Sequence, residues 1–387
     1  MAADGAAGGA ARIVSIVGTR PEAIKLAPVV RAVSALPALR QGVVLTGQHG
    51  GLRSAFQGQF ADLFELGCDP RDRSAPRLRE ALHRHLCGHF QRHRADLILV
   101  QGDTASAFAG AMAARDCGIP VGHVEAGLRS GDLNRPWPEE GNRIAIDALS
   151  DLLFAPTEHA AANLRADWRA TGQIHVTGNT GIDALLAAKA RIGEMPPGRT
   201  ILATCHRREN QGPAFAGIAA ALARIARELG VEIVFPLHLN RHLRAEAEAL
   251  LGGVPGVRLV EPADHEGMVR LMLGAFLILT DSGGLQEEAP ALGRPVLVLR
   301  DTTERPEAIA SGNAELVGAQ PEAIFAAVSR LLADPARLAL MSRPAFPFGD
   351  GRAAPRIAAA VERWFRPRAS TARAAAPAPR ARPPAAR

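Results

Sequence analysis

Three carboxylates in this chain stand where a reaction can use them. Asp103 follows the apolar run 96–100 in QGDT, Glu125 follows 120–124 in HVEAG, and Glu139 opens a helical stretch in PWPEEGNR (136–143). Carboxylates that converge on one cleft supply a general base and a general acid when their surroundings push their pKa values apart. Charge complementarity at a helix start accounts for one of Glu139 and Glu140, but not for Glu125 at the end of a strand. CHRREN (205–210) adds His206 and two arginines directly after another apolar run. A cation placed there stabilises a departing diphosphate.

TDSGGLQEE (280–288) follows a strand and opens a helix, so Ser282, Gly283 and Gly284 present backbone N–H groups to an anion such as a diphosphate. A capping box would want an acid or amide three residues after Ser282; the residue there is Leu285, which favours anion binding over a plain cap. Glu288, one turn into the helix, is placed to reach a ribose diol. GTRPEAIK (18–25) sets Arg20 and Lys25 around a strand-to-helix turn, with Pro21 suited to the first helical turn. Both cations fit phosphate, and both fit surface acids equally well. The chain holds 43 arginines and two lysines, so a lysine at 25 signals a place that wants a compact ammonium on a flexible stem.

The elements that must position these groups are legible as alternation. Short β-branched runs at 12–17, 42–46, 96–100, 120–124, 152–155 and 174–177 alternate with Ala/Leu-rich helical stretches, and a second series follows at 199–204, 231–236, 257–260, 276–280 and 295–299. Near-continuous apolar strands separated by helices predict parallel sheets covered on both faces. Eleven strands exceed one ordinary doubly wound sheet, and GEMPPG (193–198) falls between the two series. The prediction is an α/β chain of two Rossmann-like domains facing across a cleft: residues 12–185 with 352–365, where a last helix crosses back, and residues 186–351. Residues 1–11 and the Arg/Pro/Ala segment 366–387 are expected to be disordered extensions. Ligands in such sheets bind beyond the carboxyl ends of the strands, where the polar motifs above fall.

Composition removes several classes. The net charge of +6 resides in 366–387, which carries six arginines and no acid, so the body is neutral and nucleic acid is not the expected partner. No apolar run reaches the ~18–20 residues of a membrane span. Four widely spaced cysteines (Cys68, Cys87, Cys117, Cys205) form no C-x-x-C pair, and no secretory leader is visible, so a reduced cytoplasmic protein is expected. A G-x-G-x-x-G after a strand, a P-loop and H-E-x-x-H are all missing from the sequence. In HRHLCGHFQRH (83–93), His85, His89 and His93 fall four apart beside Leu82, Leu86 and Phe90; a solvated helix face is expected there, and no metal.

Taken in order, GTRPEAIK, GDT, PVGHVEAGLRSGD, PWPEEGNR, HRREN, TDSGGLQEEAP, GRPVLVLRDTTERPEA and GDG (349–351) resemble the non-hydrolysing UDP-N-acetylglucosamine 2-epimerases, over about residues 12–365. The resemblance implies a GT-B-like pair of domains and reversible C2 epimerisation of UDP-N-acetylglucosamine to UDP-N-acetylmannosamine, without NAD or metal. It implies elimination of UDP to 2-acetamidoglucal, followed by re-addition. It makes Asp103, Glu125 and Glu139 the acid–base candidates, with Arg143 supporting them and His206 stabilising the leaving UDP. Arg20, Lys25, Ser282, Gly283, Gly284, Glu288 and Arg305 would hold the nucleotide, and a homodimer is the implied assembly. The neighbouring readings are a 2-epimerase of a related UDP-sugar such as a UDP-diacetamido-uronic acid, a GT-B glycosyltransferase, and a nucleotide-sugar sensor.

The chain departs from the family pattern in three places, one of them at the implied uracil pocket, where PADHEGM (262–268) lacks the aromatic common near its end and looser base stacking is expected. TGQHGGLRS (46–54) keeps Gln48 and His49 but has Gly50 and Gly51 where members carry a charged pair, and 68–78 lacks the usual Gly-Gln turn. Those regions help bacterial members bind a second UDP-N-acetylglucosamine as activator, so activation is expected to be weak or absent here.

Overall fold

The computed structural model describes residues 10–56, 62–67, 75–134 and 136–373. Seven strands form the first sheet: β1 Ala11–Val17, β2 Leu39–Leu45, β3 Asp62–Glu65, β4 Leu97–Gln101, β5 Val121–Val124, β6 Leu152–Ala155 and β7 Gln173–Val176. Six form the second: β8 Thr200–Thr204, β9 Glu232–Pro236, β10 Val257–Val260, β11 Ala275–Thr280, β12 Val296–Val298 and β13 Ala314–Leu316. All pairings are parallel. The orders are β3-β2-β1-β4-β5-β6-β7 and β10-β9-β8-β11-β12-β13. Both are Rossmann orders with a switch point, between β1 and β4 in one and between β8 and β11 in the other. The two-sheet α/β prediction is borne out.

The central strands are the apolar runs read from sequence, and burial explains why: β4 and β5 are buried at every position, as strands covered by helices on both faces must be. The sequence reading missed β3 and β13. Both are short edge strands, DLFE and AEL, whose half-buried residues carry no apolar run to detect.

The helix Thr180–Ile192 spans the division expected at 185/186, and its buried Ile182, Leu185 and Ala188 pack in a core with β8, β11 and β12. The last helix, Ala353–Arg373, returns to the first sheet. Its Ala354, Ile357, Ala358 and Val361 share a core with Leu26, Val29, Val30 and Val33 of the helix Arg20–Ser34. The return is made by GDG: Gly349 has φ 119°, and a Cβ there would meet the Gly178 Cα at 2.9 Å, while Asn179 N–H donates to Phe348 O at 2.7 Å. Only glycine permits that crossing. The helix continues to Arg373, into the segment expected to be an extension. Residues 1–9, 68–74 and 374–387 lie outside the described residues.

The 83–93 cluster needs correction. The helix Ala75–Arg92 does bury Leu82, Leu86 and Phe90, and His85 is exposed, but His89 is buried. Strand β3 brings Phe64 edge-on to the His89 ring, with centroids 4.9 Å apart. Burial there lowers the His89 pKa to about 4. The face is therefore solvated only in part.

Candidate active site

The first wall of the site is built at the β1/β4 switch point. Thr19 caps the helix Arg20–Ser34, and Glu22 completes a capping box with Pro21 in the first turn. Glu22 is fully buried; its Oε2 accepts from Gly18 N–H at 2.7 Å and Thr19 N–H at 2.6 Å, and its Oε1 accepts from the Thr104 hydroxyl. It thus ties the β1 turn to the β4 turn that carries Asp103. Burial outweighs these donors and raises its pKa from 4.5 to about 7. Between those values the folded chain holds a proton that the unfolded chain has released, so this group makes stability fall as pH rises from about 4.5 to about 7, then level off. Glu22→Gln keeps an acceptor for the two backbone donors and is expected to flatten that slope. Urea unfolding at about pH 5 and about pH 8 measures it, and an unchanged slope refutes the assignment.

Asp103 accepts from Arg143 Nε at 3.1 Å and also from Arg143 Nη2, while Asn142 Nδ2 donates to the Asp103 carbonyl at 2.8 Å. Arg143 donates a further bond to Glu140 Oε2 at 3.1 Å. Burial alone would lower the Arg143 pKa, but Asp103, Glu304 and Glu140 hold it above its ordinary value. Glu140 is buried in structural duty, accepting from Ser130 and Gly131 N–H. Its neighbour Glu139 lines the cleft, and its Oε2, buried from solvent, has no hydrogen-bond partner, so the carboxylate is not tied into the Arg143 network.

Glu125 is the one non-glycine residue with positive φ (72°) among the described residues. Such a conformation costs on the order of 1 kcal/mol or more and is found at functional sites. Its Oε2 accepts from Lys25 Nζ at 2.5 Å and Gln101 Nε2 at 2.7 Å. Burial raises its pKa and Glu287 adds to the rise, against Lys25.

The second wall is built at the β8/β11 switch point. Buried Asp281 accepts from the backbone N–H groups of His206 and Arg207 and from Asn210 Nδ2 at 3.1 Å, which fixes the turn that presents His206 to solvent. Ser282 is the N-cap of the helix Gly283–Ala291, and its side chain makes no capping bond, so the first-turn N–H groups point outward. The Arg305 guanidinium lies flat against this turn; a Cβ on Gly283 would meet its Cζ at 2.5 Å. Arg305 donates to Glu287 Oε1 at 2.7 Å and to Glu304 Oε1 at 2.5 Å. Burial would raise both acids, but Arg305 heads the cations that hold each below its ordinary range. Glu288 has no such protection: burial pushes its pKa up to about 8, and Glu287 adds to this while Lys25 opposes it.

A charged spine joins the walls. Lys25 Nζ reaches Glu287 Oε2 at 3.2 Å as well as Glu125, and Asn179 Nδ2 donates to the same Glu287 oxygen at 3.0 Å. Burial alone would depress the Lys25 pKa; the two carboxylates raise it instead. Between the walls opens a cavity of 920 Å³, the size of a small-ligand site. It gathers Glu139, His206, Ser282, Gly283, Gly284 and Arg305. Asp103, Glu125, Arg143, Lys25 and Glu288 are not on its lining. The first four of these sit in the charged networks behind it, and Arg20 stands half-buried at the first turn of its helix. Lys25 is thus committed to two acids.

A family described as UDP-N-acetylglucosamine 2-epimerase matches residues 31–362. The chain belongs to the UDP-N-acetylglucosamine 2-epimerase family. It is 43% identical to the UDP-N-acetylglucosamine 2-epimerase of Yersinia pestis, over 91% of this chain and 98% of that one. With the Bacillus subtilis enzyme of the same name it shares 41%, over 89% and 93% of the two chains. The crystal structure of the Neisseria meningitidis UDP-GlcNAc 2-epimerase bound to UDP-GlcNAc superposes with a TM-score of 0.86 at 36% identity, covering 91% of this chain and all of that one. A glycosyltransferase of kitacinnamycin shares the fold alone, with a TM-score of 0.61 at 15% identity.

Within this site the sequence reading passed over Glu287, Glu304 and Asp281. Glu287 stands beside Glu288 in the quoted motif, and adjacent residues point about 100° apart on a helix, so sequence offered no means to choose between them. Asp281 carried a signal that was not used, a carboxylate immediately before the Ser-Gly-Gly turn. No described helix is long and apolar enough to cross a membrane.

Proposed function

We propose that the chain interconverts UDP-N-acetylglucosamine and UDP-N-acetylmannosamine by elimination and re-addition of UDP. One observation carries the reading: a single cavity is lined by the carboxylate-bearing Glu139 on one wall and by His206 with an uncapped helix N-terminus on the other. The C2 proton of the sugar is not adjacent to a carbonyl, so its removal needs the C1–O bond to break in concert. The proton passes to a carboxylate, C1=C2 forms, and the electron pair leaves with UDP. Ser282, Gly283 and Gly284 N–H groups receive the diphosphate, and His206 stabilises its added charge. UDP then returns to C1 while C2 takes a proton on the opposite face. Asp103, Glu125 and Glu139 supply the two acid–base functions, Arg143 orients Asp103, and Arg305 and Lys25 hold the turn and the acids in place. Arg20 and Glu288 complete the nucleotide contacts. The route is redox-neutral and calls for neither NAD nor metal.

Proton NMR of UDP-N-acetylglucosamine with the purified protein in D₂O tests this. UDP-N-acetylmannosamine carrying deuterium at C2 is the expected product. UDP release only on addition of an acceptor sugar would instead mark a glycosyltransferase, and exchange only with UDP-diacetamido-glucuronic acid a related epimerase. The substitutions at Gly50 and Gly51 carry a second expectation: the rate follows a hyperbola in substrate, and reaction from UDP-N-acetylmannosamine alone proceeds without a priming trace of the other epimer. A sigmoidal curve refutes it. The family resemblance extends the proposal to a homodimer working in the cytoplasm, which sedimentation equilibrium and cell fractionation test.

A further inference from the structure

The helix Ala75–Arg92 carries His83 and Cys87 four residues apart, so their side chains stand one above the other. The helix Ala105–Asp116 ends against them with Asp116 and its C-cap, Cys117. His83 Nε2 lies 3.6 Å from Cys87 Sγ and 2.8 Å from Asp116 Oδ2, and the three donor atoms fall within 4.8 Å of one another. Cys117 Sγ sits 4.0 Å from the Cys87 carbonyl oxygen, which brings a second thiol to the same corner. None of the four residues lines the cleft cavity.

We propose that His83, Cys87 and Asp116 form a binding site for a borderline-soft divalent cation of the zinc type, which Cys117, beside them, completes by turning its thiol inward. Two sulfurs, one imidazole nitrogen and one carboxylate oxygen are a donor set that such a cation takes in tetrahedral geometry. Bond lengths of about 2.3 Å to sulfur and about 2.05 Å to nitrogen set the S–N edge of that tetrahedron at about 3.6 Å. His83 and Cys87 already stand at 3.6 Å. The N–O edge is about 3.3 Å, so the Asp116 carboxylate must withdraw by about 0.5 Å from His83. Its side chain is 60% exposed and free to do so.

Neighbouring arginines do not occupy this corner: Arg84 is turned to Glu80 and Arg115 to Asp151. A bound ion would pin the end of the helix Ala105–Asp116, whose other end follows Asp103 and Thr104, and so fasten the outer layer of the first sheet.

The full-length protein, stripped with a chelator and kept reduced, is titrated with Co²⁺ and then Zn²⁺. One Co²⁺ per chain is expected, with thiolate-to-metal charge transfer and the strong visible bands of a tetrahedral site, all bleached by Zn²⁺. Cys87→Ser and His83→Ala weaken binding by more than about tenfold, the least that even an outer-shell change produces. Asp116→Asn, at an exposed position that leaves the core untouched, weakens it too. His85→Ala, an exposed neighbour on the same helix, leaves it unaltered, and none of the four changes the turnover of metal-free protein. Absence of charge transfer in the reduced wild type overturns the proposal, as does equal affinity in Cys87→Ser. A Cys87–Cys117 disulfide forming in air, with no cobalt bound after reduction, overturns it in favour of a thiol pair.

Discussion

Replacing Glu125 or Glu139 with glutamine is expected to lower kcat by about 10²–10⁴, the factor that a positioned acid or base supplies, with UDP affinity and the melting midpoint little changed. The structure makes both substitutions clean. At 125 the amide oxygen still accepts from Lys25 and Gln101 and Lys25 keeps Glu287, so the hydrogen bonds survive and only one of the two charges facing Lys25 is lost. At 139 the oxygen in question has no partner to lose. The two variants are expected to differ in kind. If one carboxylate serves each face of C2, each variant keeps slow solvent-deuterium exchange from one epimer and loses it from the other. Exchange into both UDP-N-acetylglucosamine and UDP-N-acetylmannosamine, followed by NMR, measures this. Unchanged kcat in both variants would remove the carboxylates from the chemistry, and identical loss from both epimers would place a third group, Asp103, on one face.

Much of this was legible because chemistry-bearing residues in parallel α/β sheets collect at strand ends, and buried parallel strands announce themselves as apolar runs. Asp103, Glu125, His206 and the Ser282 turn each follow such a run, so fold and site were read from one signal. What escaped was whatever depends on elements remote in sequence. Edge strand β3 has no apolar run, so the Phe64 that covers His89 was unforeseen, and a helix face expected in solvent proved partly buried. Lys25 stood out against 43 arginines, yet its partners did not: Glu287 lies 262 residues away, on the helix Gly283–Ala291 that follows β11 of the second sheet, and only the packing of the two sheets' helices brings its carboxylate to the ammonium. The same holds for the corner formed by His83, Cys87 and Asp116, where two helices meet that no shared motif connects.

Arg305→Met is expected to be the most disruptive single change at the site, costing about 3 kcal/mol of stability, the lower end for breaking a buried ion pair. Two carboxylates, Glu287 and Glu304, share this guanidinium and are almost wholly buried. The lower end applies because each keeps other partners. Glu304 retains Arg300 at 2.8 Å and Arg207 at 3.5 Å, and Glu287 retains Lys25 and Asn179. UDP affinity falls as well, since the guanidinium backs the Gly283 turn whose N–H groups receive the diphosphate. Combining it with Glu287→Gln separates the two effects. Removing the stranded charge is expected to return part of the stability in urea unfolding, while calorimetric titration still shows the UDP deficit. Recovery of UDP affinity along with stability would reduce Arg305 to a counter-ion. A stability loss under about 1 kcal/mol, the scale of a solvent-exposed pair, would mean that the remaining cations already neutralise both acids and that the spine from Lys25 to Glu304 does not act as a unit.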